Sequence, residues 1–223
     1  MMGDYLLKLS AGLPVSLGLT LSAVLIALLI AVTLTVLLAL RNAVTNAVIH
    51  CYLTLFTGTP LLVQIFLIYY GPGQFPILQQ YPTLWSILSQ PGFCAVVALS
   101  LNSAAYTTQL LYGAVKAIPS GQWQSCYALG MTRGETLRVL LPYAFKRALS
   151  SYSNEVVLVF KSTSLAYTIT LMDVMGLSQQ LYGGTYDVNV FIAAGIIYLC
   201  INGLLTLLMR AIEVYALRFE RRA

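Results

Sequence analysis

GQWQSCYALGMTRGETLRVLLP, Gly121 to Pro142, is a basic, polar island set between long apolar segments, and its reading decides how the rest of the chain is arranged. Pro119 and Ser120 read as a helix start and Gly130 as its stop, about two and a half turns later. Thr132 then caps a second helix, with Glu135 three positions on completing a capping box. That second helix is expected to end near Pro142, whose ring does not continue a helix easily. Two short helices on a membrane surface make a compact projection that another protein can grip. On physics alone, a purely structural helix pair explains the pattern equally well.

Composition says where such a projection sits. The chain has 223 residues, 59% hydrophobic and only 9% charged, with a mean hydropathy of +0.82. These values place it in a bilayer, as a single transmembrane domain over residues 1–223 with no room for a separate soluble catalytic domain. The net charge of +5 does not indicate nucleic acid, because the Lys and Arg residues flank apolar runs instead of forming one aromatic-rich basic patch. Cys51, Cys94, Cys126 and Cys200 lack CxxC spacing and read as small buried packing residues.

Outward from the island, five apolar segments are long enough to span a membrane. The first, Leu13 to Leu40, is too long for a signal-peptide core and has no basic leader, so it reads as a retained helix. The second, about Val48 to Tyr70, carries Gly58 and Pro60, which predict a local bend, functional or not. Gly71 to Gly92, with four prolines and no charge, reads as a loop with a short helix lying at the membrane surface. The third span, Phe93 to Val115, holds Asn102, Ser103, Thr107, Thr108 and Gln109, a face that must turn to other helices or to a solvent cavity. The fourth, Leu149 to Thr170, contains Glu155 and Lys161. A polar loop with Asp173 and Asp187 follows, then the fifth span, Val190 to Met209, and a tail from Arg210.

Five spans put the two termini on opposite sides. Arg41, Lys116, Arg133, Arg138, Lys146, Arg147, Arg210, Arg218, Arg221 and Arg222 then share one side, ten of the twelve Lys and Arg residues. By the positive-inside rule that side is cytoplasmic, the amino terminus is periplasmic, and the island lies in the largest cytoplasmic loop, about residues 119–147.

The spacing of Gly121, Gln122, Ala128, Leu129, Gly130 and Leu140-Leu141-Pro142 resembles the EAA loop of permease subunits in ABC importers. TGTPLLVQ at Thr57 to Gln64, LNSAAY at Leu101 to Tyr106 and KSTSLAYTI at Lys161 to Ile169 are similar to segments of the polar amino-acid permease family, so the resemblance runs along nearly the whole chain. It implies an all-α membrane protein of type I ABC importer permease architecture, a non-catalytic subunit of an ATP-driven importer. The favoured substrate is a cationic amino acid, and within the family the resemblance points to arginine importers of Gram-negative bacteria. It also implies the partners: a second permease subunit, of paralogous type, two copies of an ABC ATPase, and a periplasmic amino-acid-binding protein. The chain has no GxxxxGK[ST] motif, so ATP and Mg belong to the ATPase and no cofactor is expected on this chain.

For site residues, the resemblance assigns ATPase coupling to Gly121, Gln124, Ser125, Cys126, Ala128, Leu129 and Gly130. Gln124, Ser125 and Cys126 stand where Glu-Ala-Ala is usual, which removes a carboxylate from the coupling helix, and Thr57 stands where many members carry Arg. Glu155 is the acidic residue within a span, and a cation crossing the membrane needs acceptors for its charge. Its distance of six residues from Lys161 is a poor match for a helical ion pair. Asn154, Gln64 and Thr59 are expected as polar lining. A passive channel or secondary transporter is the alternative, but internal repeats between halves are not found. A membrane enzyme lacks any cluster of His, Cys, Asp and Glu at catalytic or metal spacing.

Overall fold

The computed structural model describes residues 2–40 and 42–217; Arg41, Arg218, Arg221 and Arg222, four of the cations used above to orient the chain, lie outside them. All regular structure among the described residues is helical. Three helices, α2 (Leu13–Ala39), α7 (Pro91–Lys116) and α11 (Asn189–Ala216), are each long and apolar enough to cross a membrane. Two further candidate crossings are bent pairs. One joins α3 (Ala43–Gly58) to the segment Leu61–Gln74, which begins with α4 (Leu61–Tyr70); the other joins Arg133–Ile169 to α10 (Val174–Thr185). Counting each pair as one crossing gives five spans. An amphipathic α1 (Met2–Ser10) precedes them, burying Tyr5 and Leu9 against Val174, Val190 and Ala193.

The centre of the bundle is the α2–α7 pair. α2 is apolar all round, so its inward face is chosen by size. Ser16, Thr20, Ala23, Ala27, Ala31 and Thr35 form a buried stripe at spacings of three and four residues. Opposite them α7 buries Ala95, Ala98 and Ala105. Small residues on both faces let the two backbones approach closely, which is how helices associate where lipid competes for apolar surface. Thr20 and Thr35 return their hydroxyls to the carbonyls of Ser16 and Ala31, both at 2.7 Å, and so bury no unpaired donor. Large residues of α2 such as Leu21, Leu25 and Leu29 point away from the bundle.

One expectation holds and three are corrected. The bend expected in the second span at Gly58 and Pro60 is present, and the two halves turn by 105° at Gly58-Thr59-Pro60. The helix that starts at the Thr132 cap does not end near Pro142 but runs on as α9 (Arg133–Ser162), with Pro142 inside it. Pro142 faces outward, so its missing N–H lies on the exposed side, while Leu140, Leu141 and Ala144 are buried against Val115, Cys126 and Leu137 and hold the helix on course. The loop expected between the last two spans is mostly α10, and Asp173 is its buried N-cap instead of an external charge. Its Oδ1 accepts from the Gly176 amide at 2.8 Å, and the hydroxyls of Ser16 and Tyr198 approach Oδ2. Gly12 makes this packing possible, since a Cβ there would lie 2.5 Å from the Asp173 carbonyl carbon. Finally, Cys94 and Cys126 are buried, but Cys51 and Cys200 are exposed on the outside of the bundle. Hydropathy registers preference for apolar surroundings and does not distinguish protein from lipid.

Between α4 and α7 the proline-rich segment forms a 3-10 turn and two short helices, α5 (Pro76–Gln79) and α6 (Pro82–Leu88). Phe75, Ile77, Tyr81, Leu84 and Ile87 are exposed on it, as expected of a segment at a membrane surface.

Candidate functional site

The break between α3 and α4 is built by Pro60. It cannot donate an N–H, and the residue before it is steered out of the helical region; Thr59 accordingly sits at φ −115°, ψ 145°. Ending a helix inside a membrane strands the carbonyls of its last turn, and each stranded group must find a donor. The Leu55 carbonyl accepts from the Thr59 hydroxyl at 2.7 Å. The Phe56 carbonyl accepts from Gln64 Nε2 at 2.9 Å and from Asn102 Nδ2 at 3.2 Å. The Thr57 carbonyl accepts from the Tyr106 hydroxyl at 3.4 Å. Gln64 also donates to the carbonyl and the hydroxyl of Thr59, and its Oε1 accepts from Asn102 at 3.0 Å. Buried to 5% exposure, Gln64 is the pin that holds the break.

In front of this break opens a recess of about 460 Å³, lined by Thr57 to Leu61, by Asn102, Ser103 and Tyr106 of α7, and by Glu155, Leu158 and Ser162 of α9. Among the described residues Glu155 is the one charged residue in the lining, with no Lys or Arg beside it. Its Oε1 accepts from the Ser103 hydroxyl at 2.8 Å, leaving the rest of the carboxylate free to meet a ligand. A single anion among backbone carbonyls and hydroxyls, in a low-dielectric setting, favours a cation that also carries hydrogen-bond donors.

Of the four residues expected along the substrate path, the structure brings Glu155 and Thr59 into the recess and sets Gln64 behind it. Asn154 points elsewhere, into a groove with Ser150, Ser153, Thr206 and Arg210 between α9 and α11. Lys161 likewise lines a different groove, beside Met175 and Tyr198. Tyr106 and Ser162 were not anticipated as lining, yet both belong to sequence segments already singled out. TGTP, LNSAAY and KSTS lie far apart in the chain and converge on this one recess.

The basic island forms a second feature. α8 (Ser120–Ala128) ends in two reciprocal backbone bonds, Gly130 N to the Tyr127 carbonyl at 2.9 Å and Met131 N to the Cys126 carbonyl at 3.1 Å. This is a Schellman turn, and it places Gly130 at φ +75°, where a side chain would be strained. Thr132 then caps α9 in a complete capping box with Glu135. The Thr132 amide and hydroxyl, both 2.8 Å from Glu135 Oε2, hold that carboxyl below the usual carboxylate range. Cys126 anchors the turn in the core, whereas Gly121, Gln124, Ser125, Ala128, Leu129 and Gly130 are exposed. Leu129, 75% exposed, is the most prominent apolar side chain on it.

Residues 23–214 match the family described as binding-protein-dependent transport system inner membrane component. Over 221 residues, 99% of this chain and all of the relative, the sequence is 71% identical to the arginine ABC transporter permease protein ArtM of Escherichia coli K12. It is 57% identical to the ArtM protein of Haemophilus influenzae, over 99% of this chain and 97% of that one. Among solved structures, one described as an amino acid ABC transporter with histidines superposes with a TM-score of 0.82 at 26% identity, covering 95% of each chain.

Proposed function

The chain belongs to the family of binding-protein-dependent transport system inner membrane components, and from that premise we propose that this ABC importer permease subunit carries arginine, or a cationic amino acid like it, across the bacterial inner membrane. The observation that carries the substrate reading is the recess at the helix break with Glu155 as the sole charge among the described residues. Identity to two arginine permeases over nearly the full chain supports the same substrate.

The chain works with a second permease subunit of paralogous type, two ATPase subunits and a periplasmic binding protein. The basic residues Lys116, Arg133, Arg138, Lys146, Arg147 and Arg210 favour placing the α8 end in the cytoplasm and the amino terminus in the periplasm. There the exposed face of α8, with Gly121, Gln124, Ser125, Ala128, Leu129 and Gly130, seats in the ATPase, and Cys126 fixes it to the bundle. ATP and Mg act on the ATPase. Its closure moves α8, and the recess opens in turn to either side. Glu155 holds the cationic end of the substrate, Thr59 and the unwound backbone supply acceptors, and Gln64 keeps the break in shape. Asn154, in its separate groove, contributes polarity between α9 and α11.

Glu155→Gln tests this. Gln keeps an acceptor for Ser103 and removes only the charge. Losing a charged hydrogen-bond partner for the substrate costs about 2 kcal/mol, roughly 30-fold in affinity. In proteoliposomes with the ATPase and binding protein, arginine uptake should fall accordingly while the subunits co-purify as before. Unchanged ATP-dependent uptake at equal incorporation removes Glu155 from the path, and uptake that needs no ATPase returns the chain to the class of passive carriers.

A further inference from the structure

Beside the Schellman turn, and separate from the recess, lies a cleft of about 170 Å³ lined by Tyr112, Lys116, Trp123, Tyr127 and Arg133, with Ala39 among the apolar residues at its edge. Among the described residues its lining has two cations, three aromatic rings and no carboxylate. Lys116 Nζ lies 4.6 Å from the centre of the Tyr112 ring, a cation–π contact that orients the ammonium and leaves its charge uncancelled. Glu135, two residues from Arg133, is turned back onto Thr132.

The position of the cleft matters as much as its charge. Ala39 and Lys116 are the last residues of α2 and α7, two long apolar helices, so the cleft sits where hydrocarbon gives way to water. Trp and Tyr favour that level, and basic pockets there attract anionic headgroups. We propose that this cleft binds the phosphate of an anionic membrane phospholipid, with Lys116 and Arg133 as its charge partners and Tyr112, Trp123 and Tyr127 as its walls.

The ligand does not compete with the exposed face of α8. At 100° per residue, Trp123 and Tyr127 share the face that carries buried Cys126, while Gln124, Ser125, Ala128 and Leu129 lie on the opposite one. A lipid headgroup therefore fills the space between α8 and the ends of α2 and α7, cementing the projection to the bundle it must move.

The test uses the full chain, with its co-purifying subunits, in phosphatidylcholine nanodiscs into which phosphatidylglycerol is titrated. Retained lipid is counted by native mass spectrometry. Occupancy is also followed by Trp123 emission in a Trp85→Phe background. Lys116→Gln and Arg133→Gln should each weaken phosphatidylglycerol retention roughly 5-fold, and together about 30-fold. Arg133→Lys, which keeps the charge and leaves the Lys116–Tyr112 contact untouched, should retain the lipid where Arg133→Gln does not. Equal retention by the wild-type and charge-removed proteins overturns the proposal. So does inorganic phosphate that binds as tightly as the lipid, which would make the cleft a soluble-anion site. Loss of the ATPase from the double variant with lipid retention unchanged would assign the cations to a protein contact and overturn it too.

Discussion

Gln64→Leu isolates the chemistry of the helix break, because Leu approximates the volume of Gln without its donors and acceptor. Wild-type Gln64 serves the Phe56 carbonyl, the Thr59 carbonyl and hydroxyl, and Asn102. In the variant the Phe56 carbonyl keeps Asn102 at 3.2 Å, but the Thr59 carbonyl loses the Gln64 bond and Asn102 loses an acceptor. Each buried group left unsatisfied costs about 1–3 kcal/mol. With one of the two rescued by solvent from the recess, a net loss of about 2 kcal/mol is expected for local opening of the break. Hydrogen exchange at the amides of the first turns of α4 should then quicken roughly 30-fold, with the exchange of α2 and α11 unaltered. Arginine uptake should fall as well, since the Thr57–Pro60 backbone no longer holds its place in the recess. Gln64→Glu should behave worse than Leu at neutral pH, because a carboxylate would face two carbonyls. Wild-type exchange at α4 with Leu at position 64 would refute the assignment of Gln64 as the pin and would mean that Pro60 alone maintains the turn.

At the Schellman turn, Gly130→Pro removes an N–H bonded to Tyr127 and forbids a φ of +75°; the chain should still insert in the membrane but release the ATPase on purification, and an intact complex would argue against docking through α8. Asp173→Ala should cost about 1–3 kcal/mol by orphaning the buried Gly176 amide, seen as easier proteolysis within α10, while Asp173→Asn, which keeps the acceptor, should be milder. Glu135, held below its ordinary pKa by hydrogen bonds from Thr132, stabilises the first turn of α9 above the unfolded carboxylate value of about 4.3. That contribution is lost as pH falls through the lower folded value, so acid-induced fraying at residues 133–136, read by exchange corrected for intrinsic rates, should be absent in Glu135→Gln.

Apolar run length located the candidate crossings, and the turn chemistry of the island was legible to the residue: Gly130 as stop, Thr132 as cap, Glu135 as its reciprocal partner. These features are local, each decided by neighbours within four positions. What escaped was decided at a distance. Gly58 and Pro60 announce a break, but its angle depends on Gln64, Asn102 and Tyr106 meeting the carbonyls that the break leaves stranded. Asp173 looks like a loop acid until α2 and α11 bring Ser16 and Tyr198 beside it. Pro142 ended a helix on paper because its flanking leucines carry no label saying that they are buried. Within the recess, the acid could be picked out from its residue type and its place in a span, whereas Asn154, one residue further back, belongs to another face by the helical rotation of 100°.

The unbroken course of α9 has a mechanical consequence. Thr132 and Glu155 belong to one rod with its end at the Schellman turn, and at 1.5 Å per residue they stand about 35 Å apart. Pivoted near one end, such a lever turns a tilt of about 5° into a displacement of about 3 Å at the other, enough to make or break a hydrogen bond. Pro142 is the place along it where a backbone bond is missing, and so the place where compliance enters. A push on the turn thus reaches the carboxylate as geometry, without any relay of side chains, and stiffening the rod at Pro142 would change how much of the stroke arrives.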